Sequence, residues 1–154
     1  MQVSELISPE RIACGIDAHS KKRALEKLSE LIAGDEAQLS SHEVFNSLLA
    51  RERLGATGLG YGVAIPHGRL GDNPRTQAAF IKLAHGVDFG AADNQPVDLL
   101  FALLVPKEST DEHLEILAAL AKLFNEEQFR EELRAATSRE QIYEVLDRWS
   151  KKSG

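Results

Sequence analysis

The strongest constraint on the fold is an apolar segment near the middle of the chain. Residues 97–105 read Val-Asp-Leu-Leu-Phe-Ala-Leu-Leu-Val and lie between Pro96 and Pro106. The run is far shorter than the roughly 20 apolar residues of a membrane helix. Its lack of polar alternation is typical of a strand that is buried on both faces. The segment therefore predicts a central strand with helices packed on each side, as in an α/β domain.

Composition limits the classes of protein that this chain can represent. The 154 residues suit one compact domain, 1–154, and no repeat or linker divides them. The net charge is -6 and no basic stripe is present, so we expect no nucleic-acid partner. Met1–Glu10 has no signal-peptide pattern, which favours the cytoplasm and no membrane embedding. Cys14 has no second cysteine to pair with and is expected to be a buried or half-buried thiol.

Helical spacing of apolar residues predicts four helices around the central strand and one short helix. The first helix covers Lys21–Ala33, with Ser20 as N-cap and Gly34 at its end, and the second covers about 41–53 and ends at Gly55. The third helix is capped by Ser109 or Thr110. A short fourth helix covers about 126–135, and the last covers 138–150. In the third helix the apolar side is expected to comprise Leu114, Leu117, Ala118, Ala121 and Leu123–Phe124. Two more strands are predicted, at 63–65 and 78–84, which gives a small mixed sheet with helices on both sides.

A glycine-rich segment leads to the candidate site. Residues 55–62 contain four glycines, which predicts a loop with unusual backbone angles or close approach. It lacks the Gly-Lys-Ser/Thr end of a nucleotide-binding P-loop, and it follows a helix and opens a strand, unlike a dinucleotide fingerprint. Its amides are expected to lie near His67 and could cradle a phosphoryl group.

His67 differs in setting from three of the other histidines. His19, His42 and His85 are in polar surroundings and are expected to have surface or capping roles. His67 follows a short strand and Pro66, where rigid loops often carry reactive groups, and a neutral imidazole is a good nucleophile near pH 7. The residues alone leave two interpretations open, a nucleophile or a buried histidine that is hydrogen-bonded within a loop.

Two further residues are candidates for binding an anion beside His67. Arg51 falls at the end of the second helix, where a guanidinium could bind two phosphoryl oxygens or could be a plain surface charge. His113 falls in the first turn of the third helix, where it could donate a hydrogen bond to a phosphoryl group. A metal site that combines His113 with His67 is disfavoured, because no carboxylate or cysteine stands at ligand spacing.

Several segments together resemble one known family. The chain is similar to the fructose/mannitol-type IIA domain of the bacterial phosphotransferase system, with the nitrogen-regulatory branch as the closer match. The resemblance covers about residues 5–148, which we take as the core of the domain. The segments that carry it are Arg51-Glu52, Gly55–Gly62, Val63-Ala64-Ile65-Pro66-His67-Gly68, Ser20–Leu25, Asp93–Pro106 and His113-Leu114.

The resemblance implies specific roles for the candidate residues. It implies that His67 is the phosphorylated histidine, through its ε nitrogen, that Arg51 binds the phosphoryl group and that His113 stabilises it. It also implies a mixed sheet flanked by helices and chemistry that needs no cofactor and no metal. Two departures from the nitrogen-regulatory pattern are Ala56 in place of serine and Tyr61 in place of asparagine. Thr57 could supply a hydroxyl in place of the missing serine.

Three functions remain open at this point. The resemblance favours a phosphocarrier that accepts phosphate from a histidine phosphocarrier protein and regulates targets such as potassium transporters or sensor kinases according to its phosphorylation state. The second is a sugar-transport IIA component that passes phosphate to a IIB partner. The third is a regulatory binding protein without phosphotransfer.

Overall fold

The computed structural model describes residues 2–34, 39–71, 75–108 and 111–153. Two short 3-10 helices, Val3–Leu6 and Pro9–Arg11, precede the first strand. The strands are β1 Ile12–Ile16, β2 Gly58–Gly60, β3 Val63–Ala64, β4 His67–Leu70, β5 Gln77–Val87 and β6 Val97–Pro106. The helices are α1 Lys21–Ala33, α2 Ser41–Leu54, α3 Asp111–Phe124, α4 Glu127–Ala135 and α5 Arg139–Ser153.

The six strands form one mixed sheet with β6 at its centre. The strand order is β1-β5-β6-β3-β2, and β4 also pairs with β6. Strands β1 and β5 are parallel, as are β3 and β6 and β4 and β6, whereas β5–β6 and β2–β3 are antiparallel. The predicted single α/β domain with a mixed sheet and a central strand over residues 97–105 is therefore confirmed.

Strand β6 supplies a hydrophobic core on each face of the sheet. Phe101 and Leu103 join the core under α3, α4 and α5, whereas Leu100 and Leu104 join the core under α1 and α2. All four side chains are fully buried. The two-sided burial explains why the strand reads as a continuous apolar run rather than an alternating one.

The predicted boundaries of α1, α2, α4 and α5 agree with the structure to within three residues. The Ser20 hydroxyl accepts a hydrogen bond from the Arg23 amide, which caps α1 as expected. Gly34 follows the last residue of α1. The predicted caps of α3, Ser109 and Thr110, lie outside the described residues.

The predicted apolar side of α3 is confirmed at Leu123 and Phe124, which are buried, but is wrong in the first part of the helix. Leu114 is 64% exposed and Ala118 is also exposed, although both were expected to face the core. The buried face instead carries Ile116, Leu120 and His113. Two apolar stripes run along this helix, and spacing alone cannot tell which one faces the sheet. His113 therefore lies on the face of α3 that is turned towards the sheet.

The glycine-rich segment and His67 also differ from the prediction. Residues Gly58–Gly60 form strand β2, which pairs with β3 around the turn at Tyr61 and Gly62. The sequence predicted that strand pairing ends at Pro66, but its carbonyl accepts a hydrogen bond from the Leu103 amide and pairing with β6 resumes at once. Proline lacks a donor but keeps its acceptor, so this edge position tolerates it. His67 is thus the first residue of β4.

A candidate active site around two histidines

A cavity of about 720 Å³ opens where α2, β4 and the first turn of α3 meet. Its lining includes the three candidates that the sequence singled out, His67, Arg51 and His113. Arg69 lines it as well. We call this the histidine cavity. Residues that are 62 positions apart in the chain are therefore brought to one place, as the candidate site requires.

The backbone fixes the tautomer of His67. Its Nδ1 lies 2.8 Å from the carbonyl oxygen of Ile65. Because a carbonyl oxygen can only accept, Nδ1 must carry the proton in this contact. In the neutral ring the other nitrogen, Nε2, then has a free lone pair. The half-buried His67 therefore presents an unprotonated Nε2.

The surroundings keep the His67 ring neutral. Burial lowers its pKa below the ordinary value of 6.5, and the positive charges of Arg51 and Arg69 lower it further. The hydrogen bond to Ile65 and the charge of Glu52 act in the opposite direction but do not offset the burial. The ring is thus uncharged at neutral pH, which is the state that a nucleophile needs.

His113 lies beside His67 with an unsatisfied ring nitrogen. The two ring centroids are 5.3 Å apart and the planes are tilted by 54°. His113 is only 6% exposed, and its Nδ1 has no hydrogen-bond partner among the described residues. Burial lowers its pKa, followed by the charges of His67, Arg69 and Arg51. A buried polar atom without a partner is costly and usually has a functional reason.

Arg51 is held at the end of α2 by its own turn. Its Nη1 donates a hydrogen bond of 2.9 Å to the carbonyl oxygen of Gly55, just beyond the helix. The helix itself packs very closely on β4. A Cβ atom at Gly68 would lie only 3.0 Å from the carbonyl of Ser47. The absence of a side chain at Gly68 therefore sets how near α2, and with it Arg51, comes to His67.

A buried ionic cluster holds the segment between α2 and β2. The Glu52 carboxylate, 6% exposed as a residue, lies 2.8 Å from Nζ of Lys21 at the start of α1. The Thr57 amide and hydroxyl both donate to the same carboxylate. The hydroxyl of Thr57 is therefore engaged, and it does not replace the serine hydroxyl that the sequence analysis considered for phosphoryl binding.

The glycine-rich segment does not line the histidine cavity. None of residues 55–62 is among its lining residues. Gly62 instead has a positive φ of 79°, and Arg134 and Asp98 pack against the place where its Cβ would be. The Arg134 guanidinium forms two hydrogen bonds with Asp98 and one with the Tyr61 carbonyl. Gly58, Gly60 and Gly62 belong to the hairpin and Gly55 caps α2, and none of them forms the predicted amide cradle in the lining of this cavity.

Sequence reasoning missed Arg69 as a member of the site. It follows His67 by two residues on β4, and side chains at that spacing share one face of a strand. Once residues 67–70 are recognised as a strand, this signal is readable, but a loop was predicted there. Two guanidiniums and two neutral imidazoles around one cavity form a setting suited to a tetrahedral oxyanion.

Comparison with known proteins identifies the same family as the sequence segments that carry the resemblance. Residues 5–149 match the family model described as the phosphoenolpyruvate-dependent sugar phosphotransferase system, EIIA 2. The chain belongs to this family. A nitrogen regulatory protein from Klebsiella oxytoca is 46% identical over 147 residues, which cover 95% of this chain and 90% of that protein.

Solved structures of the family have the same fold. The nitrogen regulatory protein IIA-Ntr from Neisseria meningitidis matches with a TM-score of 0.88 and 42% identity, over 94% of this chain and 98% of that one. The mannitol enzyme IIA of Escherichia coli, solved in complex with phosphorylated enzyme IIB, matches with a TM-score of 0.76 and 25% identity. The match covers 92% of this chain and 99% of that one.

Two features are absent from the described residues. No helix among them is both long enough and apolar enough to cross a membrane. Within the same ranges, no three histidine, cysteine, aspartate or glutamate side chains are grouped as metal ligands would be. Cys14 is half-buried with a free thiol, as predicted from the sequence.

Proposed function

We propose that this protein is a phosphocarrier of a nitrogen-related phosphotransferase system, which accepts a phosphoryl group on His67 from a histidine phosphocarrier protein. The observation that carries the proposal is the hydrogen bond from Nδ1 of His67 to the Ile65 carbonyl. It leaves Nε2 as the nucleophile, and it agrees with the ε nitrogen that the family resemblance implies. We expect the exchange to occur in the cytoplasm.

The proposed transfer is an in-line displacement between two imidazoles. The lone pair of Nε2 attacks phosphorus while the P–N bond to the donor histidine breaks, and its electron pair returns to the donor ring. His67 keeps its Nδ1 proton and becomes a phosphoimidazolium, whose positive ring is stabilised by the Ile65 carbonyl. Retention of that proton also keeps the ring a good leaving group for onward transfer.

Arg51 and His113 act on the transferring oxygens in this scheme. Charge spreads over the three equatorial oxygens in the transition state, so positioned donors lower the barrier. We assign Arg51 the role of a guanidinium clamp and His113 that of a hydrogen-bond donor, which would give its buried ring a polar partner. Neither role involves a metal ion or an organic cofactor.

The test uses the intact chain with phosphoenolpyruvate, an enzyme I and the phosphocarrier. Intact-mass spectrometry should detect one acid-labile phosphoryl group on the wild type and none on His67→Ala. His85→Ala is the matched control, because His85 is exposed and does not line the histidine cavity. Phosphorylation of His67→Ala to the wild-type extent would refute the proposal.

Regulation is the part of the proposal that depends on partners. Phosphorylation adds about -1.5 to -2 units of charge, by analogy with other phosphorylated side chains. A change of that size at the mouth of a cavity alters which protein surfaces can dock there. We expect targets such as potassium transporters or sensor kinases to bind either the phosphorylated or the unmodified form, and a pulldown with both forms tests this.

A sugar-transport role is the second candidate, because the mannitol enzyme IIA resembles this chain and forms a complex with its IIB partner. Incubation of the phosphorylated protein with a sugar-specific IIB protein separates the two functions. Rapid loss of phosphate to IIB would favour transport, whereas a stable phosphoprotein would favour regulation. A pulldown partner set that is unchanged by His67→Ala would favour a binding protein without phosphotransfer.

A further inference from the structure

Arg69 approaches the histidine cavity from strand β4, on the same face as His67. Two residues of a strand span about 6.6 Å, and an arginine side chain is long enough to bridge that distance. Both residues line the cavity. A group bonded to Nε2 of His67 is therefore within reach of the Arg69 guanidinium.

The two arginines reach the pair of histidines from different elements. Arg51 lies in the last turn of helix α2, whereas Arg69 lies on strand β4, and both line the histidine cavity. The positive charge of each arginine lowers the pKa of both His67 and His113, after the larger effect of burial.

The backbone of Arg69 is fixed, whereas its guanidinium is lightly held. Its carbonyl accepts a hydrogen bond of 2.8 Å from the Ser47 hydroxyl, and the residue pairs with Val105 in the sheet. Among the described residues, the guanidinium makes one long hydrogen bond, 3.4 Å to the Lys107 carbonyl, and no ion pair. Arg134, by contrast, is committed to Asp98 through two hydrogen bonds.

We infer that Arg69 binds the phosphoryl group on His67 as a second guanidinium, in addition to Arg51. The inference rests on the proposed phosphorylation of His67 and extends it to a residue that the family resemblance did not supply. The phosphoryl oxygens carry close to two negative charges, and one guanidinium can bind at most two of the three oxygens. Arg69 supplies a second charged donor to these oxygens and stabilises the phosphorylated state relative to the free protein.

The test is the equilibrium constant for phosphoryl exchange between the phosphocarrier and this protein, measured by intact-mass spectrometry from both directions. Loss of a charged contact at an exposed side chain should lower this constant about three- to tenfold in Arg69→Gln. Arg69→Lys keeps the charge without the planar fork, so an intermediate value is expected. Arg53→Gln is the control, since Arg53 is an exposed arginine on the same α2 helix as Arg51 but does not line the cavity.

Three outcomes would overturn the inference. An unchanged equilibrium constant in Arg69→Gln would do so, provided that circular dichroism shows a wild-type fold. If Arg69→Gln slows exchange only at low salt and leaves the equilibrium constant unchanged, Arg69 attracts the phosphocarrier protein electrostatically and does not bind the phosphoryl group. A wild type that acquires no phosphoryl group would overturn the proposed function and this inference together.

Discussion

His67 and His113 show how two residues of one type acquire different roles from their surroundings. The Ile65 carbonyl sets the tautomer of His67 and thereby selects the nitrogen that is free to react. Among the described residues, Nδ1 of the buried His113 has no hydrogen-bond partner. One imidazole therefore presents a free lone pair, as the proposed nucleophile would, and the other offers a hydrogen bond that the proposed phosphoryl group would satisfy.

The coupling between the two rings predicts a shift in the pKa of His113. The charge of His67 is the second-largest cause that lowers this pKa, after burial. In His67→Ala we expect the pKa of His113 to move upward towards 6.5, because that repulsion is gone and water can enter the space left by the ring. A titration by two-dimensional NMR of the histidine rings measures it. A His113 pKa that is unchanged or lower would contradict the proximity of the rings.

Stability should depend on pH through the same two histidines. Both have a folded-state pKa below the ordinary value of 6.5. At pH values between the lowered folded-state pKa and the ordinary pKa of 6.5, the unfolded chain therefore binds more protons than the folded one. The free energy of unfolding falls as pH drops through 6.5. Urea titrations at pH 7.5 and 5.5 should show this loss. The double variant His67→Gln/His113→Gln should show a smaller loss over the same window, and an equal loss would count against the assignment.

At the scale of single elements, α2 and β4 together build most of the site. Their contact depends on Gly68, where a Cβ atom would lie 3.0 Å from both the carbonyl carbon and the carbonyl oxygen of Ser47. This spacing is tighter than real side chains adopt comfortably, and both atoms belong to backbone that cannot rotate away. The position of Arg51 relative to His67 thus follows from a glycine that contributes no chemistry of its own.

Replacement of Gly68 by alanine should therefore harm both stability and exchange. Overpacking of this kind costs about 1–3 kcal/mol, and relief requires α2 to move away from β4. We expect a lower urea midpoint and slower phosphoryl acceptance in Gly68→Ala, although this variant retains every side chain that is proposed to bind the phosphoryl group. Gly71→Ala is the control, because among the described residues its Cβ would meet only the side chain of Lys107, at Cδ and 3.8 Å away. Equal effects of the two substitutions would refute the role of close packing.

The Glu52 cluster should contribute to stability by joining α1 to the segment after α2. Glu52→Ala removes the acceptor of the Thr57 donors and the counter-ion of Lys21, whose ammonium keeps its hydrogen bond to the Phe89 carbonyl, and we expect a loss of about 2–3 kcal/mol. Glu52→Gln keeps an acceptor for Thr57 and should cost less. Glu30→Gln is the comparison, because its pair with Lys27 is 3.9 Å long and 59% exposed on the glutamate side, so a change of about 0.5 kcal/mol or less is expected. A loss in Glu52→Ala no larger than in Glu30→Gln would contradict the prediction.

The element scale also shows what the sequence could predict and what it could not. The apolar run of β6 and the capping pattern of α1 are local signals, and both were read correctly. The inward face of α3 and the strand pairing of residues 67–70 depend on contacts with distant parts of the chain. Arg69 was missed for that reason, since its alternation with His67 has meaning only within a strand. His67, Arg51 and His113 line one cavity, but the residues alone left other interpretations open, and the family resemblance was needed to assign them to one site.

At the scale of the whole molecule, one strand connects two hydrophobic cores. Side chains of β6 alternate between the core under α3, α4 and α5 and the core under α1 and α2. The histidine cavity lies where the two layers meet, since α2 belongs to one layer and α3 to the other. Neither layer can therefore separate from the sheet without disturbing the site.

This shared strand predicts that the two layers unfold together. Trp149, the one tryptophan of the chain, packs on Phe129 in the α4–α5 layer with ring centroids 5.5 Å apart, so its fluorescence reports on that layer alone. Leu28 is fully buried in the opposite layer, on α1. Leu28→Ala should cost about 2–5 kcal/mol and should lower the urea midpoint of the Trp149 signal by the same amount as that of far-ultraviolet circular dichroism. Leu114→Ala is the control, because Leu114 is 64% exposed and its removal should leave both midpoints nearly unchanged. If Leu28→Ala shifted the dichroism but not the fluorescence, the layers would be separate cooperative units and β6 would not couple them.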